Sequence, residues 1–351
     1  MMIWIDRLRR EHSLAPDGYL KLLGTQDSDA VEYLHRQARE VSLQQFGHDI
    51  YIRGLIEVGN RCRNNCLYCG IRAANPSVAR YELTKEEILD CCRKGYESGF
   101  RTFVLQGGEK AGSYPMWEDV VRTIRQSYPD CAITLSLGEM TREEYDGLHR
   151  AGADRYLLRH ETFNASHYRM LHPKTMSREH RLQCLEWLKE AGYQTGTGIM
   201  VGSPGQTLDH IVEDICFMER FRPQMIGIGP FIPQQNTPFR HCPPGSADLT
   251  LRLLSIFRLM FPSALIPATT ALSTLLADGK EQGILAGANV VMPNLSPAVY
   301  RSSYALYDNK AAMGTEAAEG LALLKQELDR IGYRISMDRG DYREVNTTEV
   351  E

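Results

Sequence analysis

Three cysteines fall within eight positions, at Cys62, Cys66 and Cys69, in the segment Arg61-Cys62-Arg63-Asn64-Asn65-Cys66-Leu67-Tyr68-Cys69-Gly70. The spacing is C-x3-C-x2-C, which lets one short loop wrap a corner of a 4Fe-4S cube. Each thiolate then takes one iron and the fourth iron is left without a protein ligand. An iron with open coordination sites can bind the amino and carboxylate groups of S-adenosylmethionine. An electron delivered through it breaks a carbon–sulfur bond and frees a 5'-deoxyadenosyl radical, while the protein holds cofactor and substrate in register and keeps water out. The competing reading is zinc, or three unrelated buried thiols. Structural zinc takes four ligands, normally from paired C-x2-C units, and no second pair exists here. Of the other six cysteines, Cys91, Cys92, Cys184 and Cys216 fall in helical patterns and read as small core residues, and Cys131 and Cys242 are equally plain.

Further polar residues stand where apolar ones would be routine. Gln106-Gly107-Gly108-Glu109 offers bare backbone to a small zwitterion after an apolar run, although Gly-Gly there is more often only a turn. Thr134, Ser136 and Gly138 alternate with Ile133, Leu135 and Leu137, so one face of a buried strand is polar. Arg155, Leu157, Arg159 and Glu161 alternate with Tyr156, Leu158 and His160 in the same way. Unpartnered buried charges cost several kcal/mol, so Arg159 and Glu161 must pair with each other or meet a charged ligand. Gly198 to Thr207 is glycine-rich and suits close contact with an adenine ring. Thr269 and Thr270, Met292, Tyr300 and Tyr304 close later runs; Met and Tyr near a rim are commonly plain packing. His149, His160, His167 and His172 have no metal-ligand spacing and read as structural.

These residues need a scaffold that brings several strand ends together. Eight short apolar runs begin at Tyr51, Thr102, Ala132, Arg155, Thr195, Met225, Ala264 and Asn289, separated by longer amphipathic segments. One such segment starts with Thr84 and Glu87 as a capping box and stops at Gly99. No GxGxxG follows the first run, so the fold class predicted is α/β, a complete (β/α)8 TIM-type barrel rather than an open doubly wound sheet. Its chemistry would sit at the C-terminal strand ends. Residues 1–48 read as an N-terminal helical extension, 49–310 as the barrel, and 311–351 as a C-terminal helix and tail whose last dozen residues look frayed.

The bulk properties narrow the partners. The formal net charge is -4 and Lys and Arg are dispersed, which gives no field for nucleic acid. The first residues, MMIWIDRLRREHSL, lack a signal-peptide core, and no apolar stretch reaches membrane-spanning length. Nine cysteines, an odd number with three clustered, fit reduced thiols and a cytoplasmic location better than a disulfide framework.

The stretches CRNNCLYCGIR, VLQGGE, TLSLGE, GADRYLLRHET, MVGSPGQT, GIGPFIPQQNTPF, IPATTAL and GANVVMPNLSP resemble the radical S-adenosylmethionine maturase family of FeFe-hydrogenase, over about residues 50 to 307. The resemblance implies one 4Fe-4S cluster on Cys62, Cys66 and Cys69. It implies that Tyr68, Gln106, Gly107, Gly108, Thr134, Ser136, Arg159, Glu161, Arg181, Met200 and Met292 surround S-adenosylmethionine, with Arg181 on its carboxylate. Thr269, Thr270 and Tyr304 would line a deeper substrate cavity, and Arg155 near the barrel floor would bind an anion. The implied substrate is a cysteine-bound iron carbonyl cyanide complex from a sister maturase, attacked at sulfur by the adenosyl radical; products would pass to a scaffold GTPase. Some members carry C-terminal cysteines for a second cluster, whereas no cysteine follows Cys242 here, so a single cluster is expected. A methylornithine synthase-like enzyme shares the triad and the barrel. Biotin synthase is disfavoured because its second cluster needs cysteines on strands. A non-enzymatic iron–sulfur or zinc protein is the alternative of another class.

Overall fold

The computed structural model describes residues 1–109, 112–310 and 317–344. In chain order its strands are β1 (Asp49–Ile52), β2 (Gly54–Gly59), β3 (Thr102–Gly107), β4 (Ala132–Ser136), β5 (Arg155–Leu157), β6 (Gln194–Thr197), β7 (Met200–Val201), β8 (Met225–Ile226), β9 (Gly229–Pro230), β10 (Val290–Val291) and β11 (Arg334–Ser336). β2, β3, β4, β5, β6 and β8 lie side by side, all parallel. The ring continues through parallel bridges from Met225 to Leu265 and from Pro267 to Val290. It closes where β10 meets β1 and where Asn294 meets Leu55. Each of the eight apolar runs thus supplies one stave of a closed barrel. The seventh forms bridges but no strand of its own, because Pro267 has no N–H to give to a ladder.

Parallel strands are covered on both faces, which is why β2 is buried at all six positions. The crossover helices start as their sequences demand. Thr84 and Glu87 form a reciprocal capping box ahead of Lys85–Glu97, and Thr141 and Glu144 do the same for Arg142–Ala151. Such caps each contribute about 1 kcal/mol. Gly99 follows the first of these helices with φ +95°, a turn only glycine takes without strain.

Three helices, Met2–Glu11, Pro16–Gly24 and Ser28–Phe46, precede the barrel and lie against its wall at the helix Ala247–Met260. There Arg252 donates to the carbonyls of Leu23 and Thr25, and His35 Nδ1 lies 2.7 Å from Ser255 Oγ. Among the described residues, no helix is long and apolar enough to cross a membrane.

The C-terminal segment departs from the sequence reading. β11 pairs in parallel with β1, on the edge away from β10, and the chain then runs beneath the barrel. Arg155 is fully buried on β5 and donates to the carbonyls of Arg339 and Gly340 at 3.0 Å and to Asp341 Oδ1 at 2.7 Å. The anion expected at Arg155 is therefore a carboxylate of the chain itself. Residues Gly340 to Glu344, expected to be frayed, include this plug, and Gly340 sits so close under Tyr51 that a Cβ would lie 2.7 Å from the ring. Burial pulls the Arg155 guanidinium below its ordinary value. Burial also pushes Asp341 upward, but Arg155, with Arg339 and a hydrogen bond from Gln194, together hold the carboxyl below its ordinary value.

Asp341→Asn should cost about 2 kcal/mol at neutral pH, because it leaves a buried guanidinium without its counter-charge. The folded carboxyl is lowered, so its contribution is complete above the unfolded value of about 4 and is lost as pH falls through the folded one. Denaturant midpoints of wild type and variant should differ at pH 7, and the difference should shrink as pH falls below about 4.

Candidate functional site

The loop that carries the three cysteines leaves the C-terminal end of β2 and is held mainly by hydrogen bonds to its own backbone. Arg80 donates to four carbonyls, those of Asn60 at 2.7 Å, Ile71 at 2.8 Å, Arg72 at 2.6 Å and Asn75 at 3.1 Å. Asn60, fully buried, donates to Ala79 and Ser303 and accepts from the Tyr81 N–H. Asn75 donates to the Gly70 carbonyl at 2.6 Å. Outside contacts complete the frame: Leu67 N–H donates to Leu171, and Gly70 N–H to Leu306 at 2.8 Å. A Cβ on Gly70 would lie 2.0 Å from the Ala305 carbonyl oxygen. Gly108 has a similar duty. A Cβ there would lie 2.3 Å from the Arg61 oxygen and 3.0 Å from Cys62 Cβ, so its bareness makes room for the cysteine loop itself.

Cys62, Cys66 and Cys69 are all unpaired and partly exposed. Burial pushes all three thiols up, Cys69 to about 12, and mutual repulsion adds to it for Cys66 and Cys69. Three such thiols hold their protons until a metal displaces them. Among the described residues, no three His, Cys, Asp or Glu side chains converge closely enough to hold a metal ion.

Tyr68 lies among Leu171, Met200 and Phe231, with its hydroxyl 3.2 Å from His172 Nε2. Burial, then the Arg181 charge, pulls His172 down to about 3, so it stays neutral. Burial raises Tyr68 well above its ordinary value, helped by the negative ends of Glu161, Cys66 and Cys69, all within electrostatic reach of its ring.

Beside the loop runs a charged network. Arg63 donates twice to Glu109 Oε1, at 2.8 and 2.6 Å. Arg181 faces Glu109 at 3.5 Å, donates to Glu139 Oε1 at 2.7 Å and to the Arg159 carbonyl at 3.2 Å. Arg181, expected to hold a cofactor carboxylate, is thus already neutralised by two buried acids. Sequence reasoning did not single out Glu109 or Glu139 as site residues. Their signal was the repeated Gly-Glu that closes QGGE and SLGE at the ends of neighbouring staves. Arg159 donates to Glu161 Oε2 at 2.7 Å, and Glu161 takes a positive φ of 63°. The paired option therefore holds, yet Arg159 Nε and Thr134 Oγ1 are buried without a partner among the described residues.

Deeper in the barrel, Gln106 Nε2 donates to the Tyr304 hydroxyl at 3.4 Å, and Thr269 Oγ1 is buried with no partner among the described residues. Glu57 on β2 is fully buried, paired with Lys310 and accepting from Asn294 at 3.0 Å. It too escaped sequence reasoning, because one acid in an apolar run carries no pattern. Gly107 pairs with Gly59, and Ser136 ends β4 half-buried. Gly198 spends its freedom on the neighbouring stave, since a Cβ would lie 1.9 Å from the Gly227 oxygen. Met292 packs with Met225, Leu265 and Val290, and Met292 and Thr270 line a cavity of about 640 Å³ bounded by Glu281 and Glu327, which none of the three cysteines enters.

Residues 56–218 match the Radical SAM superfamily model. A closed barrel with a three-cysteine loop at its mouth and this match define an enzyme of the radical S-adenosylmethionine class. The chain is 42% identical over 327 residues, 93% of its length and 93% of the relative's, to the FeFe hydrogenase maturase subunit HydE of Thermotoga maritima. It belongs to the HydE family of hydrogenase maturases. It is 28% identical over 306 residues, 86% of each chain, to 3-methylornithine synthase of Methanosarcina barkeri. A crystal structure of methylornithine synthase shares the fold with a TM-score of 0.82 at 25% identity, covering 95% of this chain and 97% of that one. The non-enzymatic alternative falls with these findings.

Arg80→Ala should leave the barrel folded but loosen the cysteine loop, since four carbonyls lose a charged donor. In the reconstituted protein, iron release to a chelator should run roughly tenfold faster than in wild type, with unchanged far-UV circular dichroism.

Proposed function

We propose that the chain holds one 4Fe-4S cluster on Cys62, Cys66 and Cys69 and reductively cleaves S-adenosylmethionine, in the assembly of the FeFe-hydrogenase diiron subcluster. The observation that carries this reading is the triad of unpaired thiols on a loop clamped by Arg80 at the mouth of the barrel. The cluster, when bound, supplies the electron that breaks the carbon–sulfur bond of the cofactor. The chain's own part is recognition and shielding. Glu161 offers a carboxylate to the cofactor's ammonium, and Arg159 keeps an unpartnered Nε for an anionic group. Arg181 presents a cation held rigid between Glu109 and Glu139, so binding the cofactor carboxylate there means sharing it with those acids. Thr134 and Ser136 supply hydroxyls, Gln106 and the Gly107-Gly108 backbone line the same mouth, and Tyr68 and Met200 wall off water. Met292 joins this shell on the resemblance alone and packs against Met225, Leu265 and Val290.

The proposed substrate is a cysteine-bound iron carbonyl cyanide complex, supplied by a sister maturase and passed on to a scaffold GTPase. What supports it is the family membership and an interior with hydroxyls to offer, at Thr269, Thr270 and Tyr304. The 42% identity to a hydrogenase maturase against 28% to a methylornithine synthase favours it over the second reading. A single cluster is proposed because the remaining cysteines, Cys91, Cys92, Cys131, Cys184, Cys216 and Cys242, are buried or scattered over separate helices and loops.

Anaerobically reconstituted and reduced protein should convert S-adenosylmethionine to 5'-deoxyadenosine, read by chromatography, and the iron complex should raise that rate. Cys66→Ala should lose the cluster's visible absorption and bring product formation to background. Wild-type protein with an intact cluster and no 5'-deoxyadenosine would sink the proposal.

A further inference from the structure

Among the described residues, four that are not glycine take a positive φ. His12 and Arg222 do so at the C-terminal caps of helices, and Asn309 is of a residue type that tolerates this backbone. Glu161, at 63°, is a different case, because it follows β5 at the rim where the cysteine loop lies. The Thr162 N–H donates to the His160 carbonyl at 2.8 Å, which closes a three-residue turn with Glu161 at its centre. Turns of this kind at positive φ are rare and strained. Such strain persists only where the surroundings over-determine it.

Here the constraint comes from the outer side of the barrel wall. Asp214, fully buried on the helix Leu208–Phe221, accepts from the Phe163 N–H with Oδ1, and the same oxygen lies 3.3 Å from His160 Nε2. His160 Nδ1 lies 2.8 Å from Thr197 Oγ1 on β6, so its ring bridges a stave and the helix that covers it. Phe217, one turn along that helix, stacks on Phe163 at 4.9 Å and meets the His160 ring edge-on at 4.8 Å. A buried carboxylate costs stability, and Asp214 Oδ2 has no partner among the described residues. The two groups that Asp214 does hold both lie within two residues of Glu161. While His160 faces this helix, Arg159 and Glu161 pair at 2.7 Å on the other side, where the Glu161 charge reaches Cys66 and Cys69.

We propose that Asp214 and His160 are positioning residues for the cofactor: from behind the barrel wall they hold the strained turn in which Glu161 presents its carboxylate to the ammonium of S-adenosylmethionine. This rests on the function proposed above, which gives Glu161 that role. Both residues are fully buried, so they act through Glu161 and not by touching the cofactor. Without Asp214 the turn relaxes from positive φ and the carboxylate shifts. A displacement of about 1 Å in a contacting group can cost about a hundredfold.

The test uses the anaerobically reconstituted and reduced full chain, with the Kd for S-adenosylmethionine read from the change it makes in the electron paramagnetic resonance signal of the cluster. Asp214→Ala should keep the iron content and visible absorption of wild type while that Kd rises about tenfold. Asp214→Asn keeps an acceptor for the Phe163 N–H, so its Kd should rise only about threefold, and it carries the comparison if the alanine variant does not fold. Because the action runs through Glu161, the losses should not add. In a Glu161→Gln background either substitution at Asp214 should change the Kd by less than about twofold. Wild-type affinity in the Asp214 variants, additive losses in this cycle, or a fall in iron content that matches the loss of binding would overturn the positioning role. A wild-type cluster whose signal does not respond to S-adenosylmethionine would instead strike the proposed function, so the two failures are distinguishable.

Discussion

A ring of parallel strands ends all its staves at one rim, and that constraint organises the rest of the molecule. Parallel staves need a crossover helix between each pair, which covers the outer face and forces near-continuous burial on β2, β3 and β4. Because chain direction is shared, the loops that follow β2, β3, β4 and β5 are neighbours although they are separated by tens of residues. Cys62, Glu109, Glu139 and Glu161 meet for this reason alone. The opposite rim has no such traffic and can be closed, and the Arg155–Asp341 plug closes it.

Charge inside such a barrel is expensive, and the way it is settled separates scaffold from site. Arg155, Arg258 and Arg80 are saturated: their guanidinium groups meet carbonyls or carboxylates and hold loops or termini in place. Around the cysteine loop the balance is deliberately incomplete. Arg63, Arg181, Glu109 and Glu139 neutralise one another, but Arg159 Nε and the hydroxyls of Thr134 and Thr269 are buried with no partner among the described residues. A buried donor left unsatisfied costs about 1–3 kcal/mol, which a ligand can return on binding. Arg53, buried below with Nε and Nη2 unpartnered, has the same character, and burial pulls its guanidinium well down.

Much of this was legible in the sequence because its causes are local. The eight staves follow from apolar runs, the capping box at Thr84 and Glu87 from residue types three apart, and the cysteine loop from a spacing of eight positions. The Arg159–Glu161 pair was one of two options the sequence left open, and it forms past the end of β5 with Glu161 at a positive φ. What stayed hidden depends on long-range pairing. β11 is three residues of unremarkable sequence whose strand exists only because β1 offers an edge, and Asp341 is one acid among many until Arg155 selects it. Glu109 and Glu139 sat in plain view in QGGE and SLGE, but the cations that claim them come from Arg63 and Arg181, far apart in the chain.

The Gly-Gly pair at the end of β3 shows how a motif can carry a second meaning. Gly108 is bare because the Arg61 carbonyl and Cys62 Cβ occupy the space where a side chain would be. The same residue that suits approach of a zwitterion is therefore first a packing requirement of the loop that holds the thiols. Glu109, one position on, then grips Arg63 within that loop and faces Arg181 on the helix Arg178–Glu190. Two consecutive residues after one stave thus fix the cysteine loop and the cation beside it in a common frame. The packing of the cysteine loop and the charge beside it are, in this barrel, set by the same few atoms.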